Sequence, residues 1–124
     1  MKDWREITLK ISDSLEKVIS VLDNGGLRIA LVIDKKNKLL GTITDGDIRR
    51  ALLKHLPMTS QVGDVMNKNP VTALNTASTE AIMSKMKGRD LLQIPIIDEN
   101  DIVVGLETLQ RLTYDKQYDN PVFL

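Results

Sequence analysis

Thr44 and Asp47 stand three residues apart, in Thr44-Asp45-Gly46-Asp47-Ile48-Arg49-Arg50, where a strand-like run gives way to a helical pattern. A helix start leaves backbone N–H groups unpaired beside the positive end of the helix dipole, and both favour an anion. A threonine hydroxyl can donate to a phosphate oxygen. An ionised aspartate only accepts, so it suits two adjacent hydroxyl donors, the arrangement found in the vicinal diol of a ribose. Thr44 on phosphate and Asp47 on ribose would hold a nucleotide by its polar end. The same Thr-x-x-Asp spacing is also satisfied by a capping box, which stabilises a helix start with no ligand. At this point both readings stand.

Other chemistry finds less support. Asp45 and Asp47 lack the spaced carboxylates and terminal glutamate of a calcium loop, so no metal site is expected. His55 is the sole histidine. It falls at the end of a helical pattern, where it can meet terminal carbonyls. With no second histidine and no cysteine it has no partner for a nucleophile–base pair. Arg49 and Arg50 read as a solvated helix face. No catalytic acid–base pair stands out, so these residues are not expected to form an enzyme by themselves.

The elements that must position Thr44 and Asp47 occur twice. Residues 7–48 fall on 71–112 without a gap, with Thr8/Thr72, Ser14/Ser78, Asp34/Asp98, Gly41/Gly105 and Thr44/Thr108 identical. Such a repeat means one supersecondary unit used twice. Each copy reads strand, helix, strand, strand, helix. In the first, Ile7, Leu9 and Ile11 alternate as a short strand, and Leu15, Val18, Ile19 and Leu22 form a helical stripe closed by Gly25-Gly26. Residues 29–33 and 39–44 form a hairpin around a polar turn, and a helix follows from about Asp45 to Lys54. Residues 59–69 join the copies with one helical turn at 62–66. In the second copy Gly88 is expected to end the first helix, and Asp98-Glu99-Asn100-Asp101 to be an exposed turn. The predicted class is α/β (α+β): two small sheets with helices packed on them, related by a pseudo-two-fold. Arg111 falls where the first copy has Asp47, so any paired sites are expected to be unequal.

Composition narrows the rest. A half of about 60 residues would bury too little surface alone, so the halves are expected to share one core. Apolar residues make up 42% of the chain and aromatics 3%, which makes that core aliphatic. Lys+Arg and Asp+Glu both number 17, which speaks against a nucleic-acid binder. The absence of cysteine excludes disulfides and thiolate chemistry. With no apolar run of membrane-span length and no signal-like start, a cytoplasmic protein is the expectation.

The doubled unit, with Gly41-Thr42-Ile43-Thr44-Asp45-Gly46-Asp47-Ile48 at the strand–helix junction, resembles the cystathionine-β-synthase (CBS) domain pair, or Bateman module. Leu31-Val32-Ile33-Asp34, Pro95-Ile96-Ile97-Asp98 and the connector's Asp64-Val65-Met66 and Asn69-Pro70-Val71-Thr72 extend the likeness over nearly the whole chain. The resemblance implies a non-catalytic regulatory module that takes an adenine nucleotide (AMP, ADP or ATP) between its repeats and requires no cofactor. It also implies a homodimer that controls an attached domain. It places Asp47 on ribose, Thr44 on the phosphate side, Arg28 as a phosphate contact, and Val71, Thr72, Leu92, Gln93, Ile94 and Pro95 on the base wall, with Thr42 also in the nucleotide site. Arg111 departs from the pattern in the second cleft, because arginine cannot accept from a diol. The implied repeats span 1–56 and 57–118. Residues 119–124 resemble the linker and first strand of a sugar-phosphate nucleotidyltransferase of the mannose-1-phosphate guanylyltransferase type, so the natural protein is expected to continue into that enzyme. The alternatives are a ligand-free dimerisation scaffold and the CBS pair of a sugar-phosphate isomerase.

Overall fold

Leu15, Val18 and Leu22 recur at helical spacing and form the buried stripe of α1 (Leu15–Gly25). Ser14 starts this helix by accepting from the Lys17 amide at 3.2 Å. Gly26, at φ 71°, supplies the left-handed residue that ends it. The chain, seen in a computed structural model, is described over residues 4–26 and 28–118, the last four of these by backbone alone. The tail 119–124, with its expected linker and strand, lies outside the described residues.

Each half contributes one three-stranded sheet. β1 (Thr8–Leu9) runs parallel to β2 (Ile29–Ile33), which pairs antiparallel with β3 (Leu39–Thr44). β4 (Ala73–Leu74), β5 (Gln93–Ile97) and β6 (Val103–Thr108) repeat this order. The repeat holds residue for residue: Ile29 opposes Thr44 as Gln93 opposes Thr108, and a bulge follows Val32 as another follows Ile96. Helices α2 (Asp45–Leu53), α3 (Thr79–Gly88) and α4 (Leu109–Tyr118) complete the set. The expected class, two small sheets carrying helices, is what the chain adopts.

The core is divided rather than single. Ala30, Val32 and Ile43 face α1 and α2 in one cluster, and Ile94 and Ile96 face α3 and α4 in another. A third joins the halves, where Ile7, Ile29 and Leu31 meet Ile97 and Val103. The reason is the period of two along a strand: even positions of β2 point at the half's own helices and odd positions at the other half. The hairpin turns are not free loops either. Leu39 donates its amide to Asp101 O at 2.9 Å, and Val103 donates its amide to Asn37 O at 2.9 Å.

One local expectation is corrected and two are refined. Ile11 lies in a turn after a strand of only two residues and is exposed. Gly88 is the last residue of α3, as expected, but the left-handed position beyond it is taken by Asp90, at φ 53°, with its own amide on Lys87 O and the Leu91 amide on Met86 O. The connector is also more than a joiner, because Val62 is fully buried in the first half's cluster and Asn67 exchanges backbone hydrogen bonds with Thr42. Among the described residues no helix is long and apolar enough to cross a membrane.

Candidate functional site

β3 alternates between two environments. Gly41 and Ile43 are buried inward, while Thr42 and Thr44 line a cavity of about 490 Å³ between the halves. β3 then feeds directly into α2, which brings Asp45, Gly46 and Asp47 to the same cavity. The opposite wall comes from the second half and the connector: Pro70, Val71, Leu91, Leu92 and Pro95, with Gln93 beside them. One wall is thus polar and helix-capped, and the other is mostly aliphatic.

Asp47 is the most heavily bonded side chain here. Its Oδ2 accepts from the Thr44 amide at 2.9 Å, the return leg of a capping box, and from the Thr44 hydroxyl at 3.1 Å. Its Oδ1 accepts from Arg50 Nη2 at 2.6 Å. The helix-cap reading of Thr44-x-x-Asp47 is therefore realised, and the cap faces the cavity. Among the described residues three carboxylates (Asp45, Asp47, Asp90) and three guanidinium groups (Arg28, Arg49, Arg50) surround the space, so these charges balance. Arg28 reaches it from a left-handed turn at φ 60° that precedes β2.

Eight of the ten residues expected on sequence grounds share this cavity: Arg28, Thr42, Thr44, Asp47, Val71, Leu92, Gln93 and Pro95. Ile94 does not, because it lies between Gln93 and Pro95 on β5 and points into the second half's core with no exposure. Thr72 lines a separate hollow with Ala73 and Ala81. Its carbonyl accepts from Lys85 Nζ. Arg49 and Arg50 are exposed, as expected of a solvated face, and they also border the cavity. Arg50 was legible, since it stands three residues after Asp47 on one helix and such pairs meet. Asn67 carries no local signal; only the folding back of the connector brings it in.

The second half differs at the equivalent junction. Thr108 Oγ1 caps α4 through the Arg111 amide at 3.1 Å. The Arg111 guanidinium donates to Glu107 Oε1, so a cation stands where Asp47 stands in the first half. Among the described residues no cluster of His, Cys, Asp or Glu could hold a metal.

Comparison with known proteins agrees with this doubled architecture. The profile of the CBS domain matches residues 2–54 and 62–109. An uncharacterized protein of Rickettsia prowazekii is 32% identical over 107 residues, covering 86% of this chain and 33% of that protein. The arabinose 5-phosphate isomerase GutQ of Salmonella typhimurium is 30% identical over 102 residues, covering 81% and 31%. This chain thus spans about a third of the length of these relatives. Among solved structures, CBSX2 in complex with AMP superposes with a TM-score of 0.80 at 19% identity, covering 91% of this chain and 89% of that one. The CBS domain pair of protein MJ0100, in complex with 5′-methylthioadenosine and S-adenosyl-L-methionine, gives 0.77 at 23%, covering 92% and 90%.

Proposed function

The chain belongs to the CBS-domain family as a tandem pair, and on that premise we propose that its inter-repeat cavity binds an adenine nucleotide and thereby regulates an attached enzyme. One observation carries this reading. The carboxylate of Asp47, the Thr44 hydroxyl and the start of α2 face, across one cavity, an aliphatic wall formed by Val71, Leu92 and Pro95. A polar end with acceptor and donor groups opposite a flat apolar slot suits a nucleotide, with the sugar on Asp47 and the base against the far wall. The complexes named for CBSX2 and MJ0100 support adenine joined to a ribose 2′,3′-diol as the shared part of the ligand, since AMP, methylthioadenosine and S-adenosylmethionine all contain it. Arg28, Arg49 and Thr42 supply the phosphate side.

The test is thermal unfolding against AMP, ADP and ATP, followed by calorimetry. A ligand that binds the folded state alone adds about 2.7 kcal/mol at one hundred times its dissociation constant. No shift with any of the three, at millimolar concentration, leaves Thr44 and Asp47 as a helix cap and the pair as a dimerisation scaffold.

Homodimerisation accompanies this reading. Leu52 and Leu53 on α2 are 48% and 73% exposed, and Ile19 on the adjoining α1 is 38% exposed. A second copy placed on these helices would cover them in a closed two-fold arrangement. Light scattering at micromolar concentration should return twice the 13.9 kDa chain mass. For the attached enzyme, the likeness of residues 119–124 to a nucleotidyltransferase entry strand supports a guanylyltransferase-type domain. The GutQ relative supports a sugar-phosphate isomerase instead. Assay of the natural full-length protein for both activities, with and without nucleotide, decides between them.

A further inference from the structure

The Asp47 carboxylate offers about four lone-pair positions, two on each oxygen. Oδ2 has two donors, the amide and hydroxyl of Thr44, and Oδ1 has one, Arg50 Nη2 at 2.6 Å. A diol brings two hydroxyl donors, and one position remains. Some present donor must leave. The Thr44 amide is fixed by the backbone at the start of α2. Arg50 is the mobile member: its side chain is 66% exposed, whereas that of Asp47 is 14% exposed. Its guanidinium also borders the cavity and has further N–H donors for a phosphate.

We propose that Arg50 is a specificity-determining latch, which holds Asp47 in the empty cleft, yields Oδ1 to the ribose diol, and moves its guanidinium to the nucleotide phosphate. This rests on the nucleotide reading above. The exchange moves one charged hydrogen bond from a carboxylate to a phosphate, so a ligand with a diol and a phosphate gains both contacts. A nucleoside with the diol alone must displace Arg50 with no return. The latch therefore favours nucleotides over nucleosides through a residue that need not touch the base.

Calorimetry with adenosine and with AMP, on the wild type and on Arg50→Gln, tests this. Removing an exposed ion-pair partner should tighten adenosine by roughly two- to fivefold. Losing a charged phosphate contact should weaken AMP by about tenfold or more and flatten the salt dependence of its binding. Arg49→Gln, at the neighbouring cation on the cavity, should weaken AMP without tightening adenosine. If Arg50→Gln shifts both ligands in the same sense, the latch is overturned. If it changes neither, the Thr44 hydroxyl rather than Arg50 makes way, and the latch is again overturned while the nucleotide reading stands. Wild-type protein that binds neither adenosine nor AMP overturns both.

Discussion

Gly41 and Asn67 are in contact so close that no side chain fits between them. A Cβ placed on Gly41 would stand 2.6 Å from the Asn67 carbonyl oxygen and 2.7 Å from Met66 Sδ. The connector is clamped against β3 at that point, since Thr42 and Asn67 exchange their backbone hydrogen bonds at 3.1 and 2.8 Å. Thr42 and Asn67 both line the cleft, so this contact sets the distance between the strand and the connector wall.

Gly41→Ala is therefore expected to destabilise the protein by about 1–3 kcal/mol, the usual cost of overpacking against atoms that cannot retreat. Among the described residues the equivalent Gly105 has only Ile96 Cβ, at 3.9 Å, within reach. Gly105→Ala should be neutral within about 0.5 kcal/mol or mildly stabilising. Urea unfolding of the two variants side by side checks both. Equal effects would contradict the clamp.

Asp47→Asn should separate a site from a cap. Replacing a charged acceptor of the diol is expected to cost roughly 1.5–3 kcal/mol of nucleotide binding. The loss of the exposed Arg50 pair and a weakened cap should cost about 1 kcal/mol of stability or less. Calorimetry and urea unfolding on one preparation give both numbers. Stability lost with affinity unchanged assigns Asp47 to the helix alone.

The two clefts should differ in occupancy. Arg111 has no acceptor for a diol and is already bonded to Glu107. Titration with the tightest adenine nucleotide should give about one site per chain. Two equal sites would show that the second cleft recognises ribose by other groups.

Acid should act on the first hairpin. The Asp34 carboxylate accepts from the Lys38 amide at 2.9 Å and the Lys36 amide at 2.8 Å, and these two bonds hold its pKa below the ordinary carboxylate value. A depressed native pKa favours folding above the unfolded value and loses that contribution as pH falls through the native one. Wild-type stability should thus drop from about pH 4 downward more steeply than that of Asp34→Asn. Urea midpoints measured between pH 5 and pH 2.5 test this. Parallel curves would remove Asp34 from the acid response.

Much of this was legible because the chain states it twice. Gly41/Gly105 and Thr44/Thr108 fixed the hairpins, and the strands pair in matching register. Asp47 could be read as both cap and acceptor because one spacing serves both. What escaped has physical causes. Ile94 was grouped with Gln93 and Pro95 by adjacency, although alternation along β5 sends it the other way. Gly88 ends α3, but the left-handed residue beyond it is Asp90, a position that aspartate tolerates and that no local pattern marks. Asn67 entered the site only through a long-range pairing that no sequence period encodes.

The reciprocal bonds from Leu39 to Asp101 and from Val103 to Asn37 place a local dyad between Lys38 and Ile102, the residues bridged there. What each hairpin gives, it receives back, as in a contact between identical subunits. If the halves were separate identical subunits, every substitution would appear on both sides of that axis at once. Joined in one chain, each side mutates independently. Aspartate at position 47 and arginine at position 111 is a combination that two identical subunits could not hold, and it lets the two strand–helix junctions diverge independently.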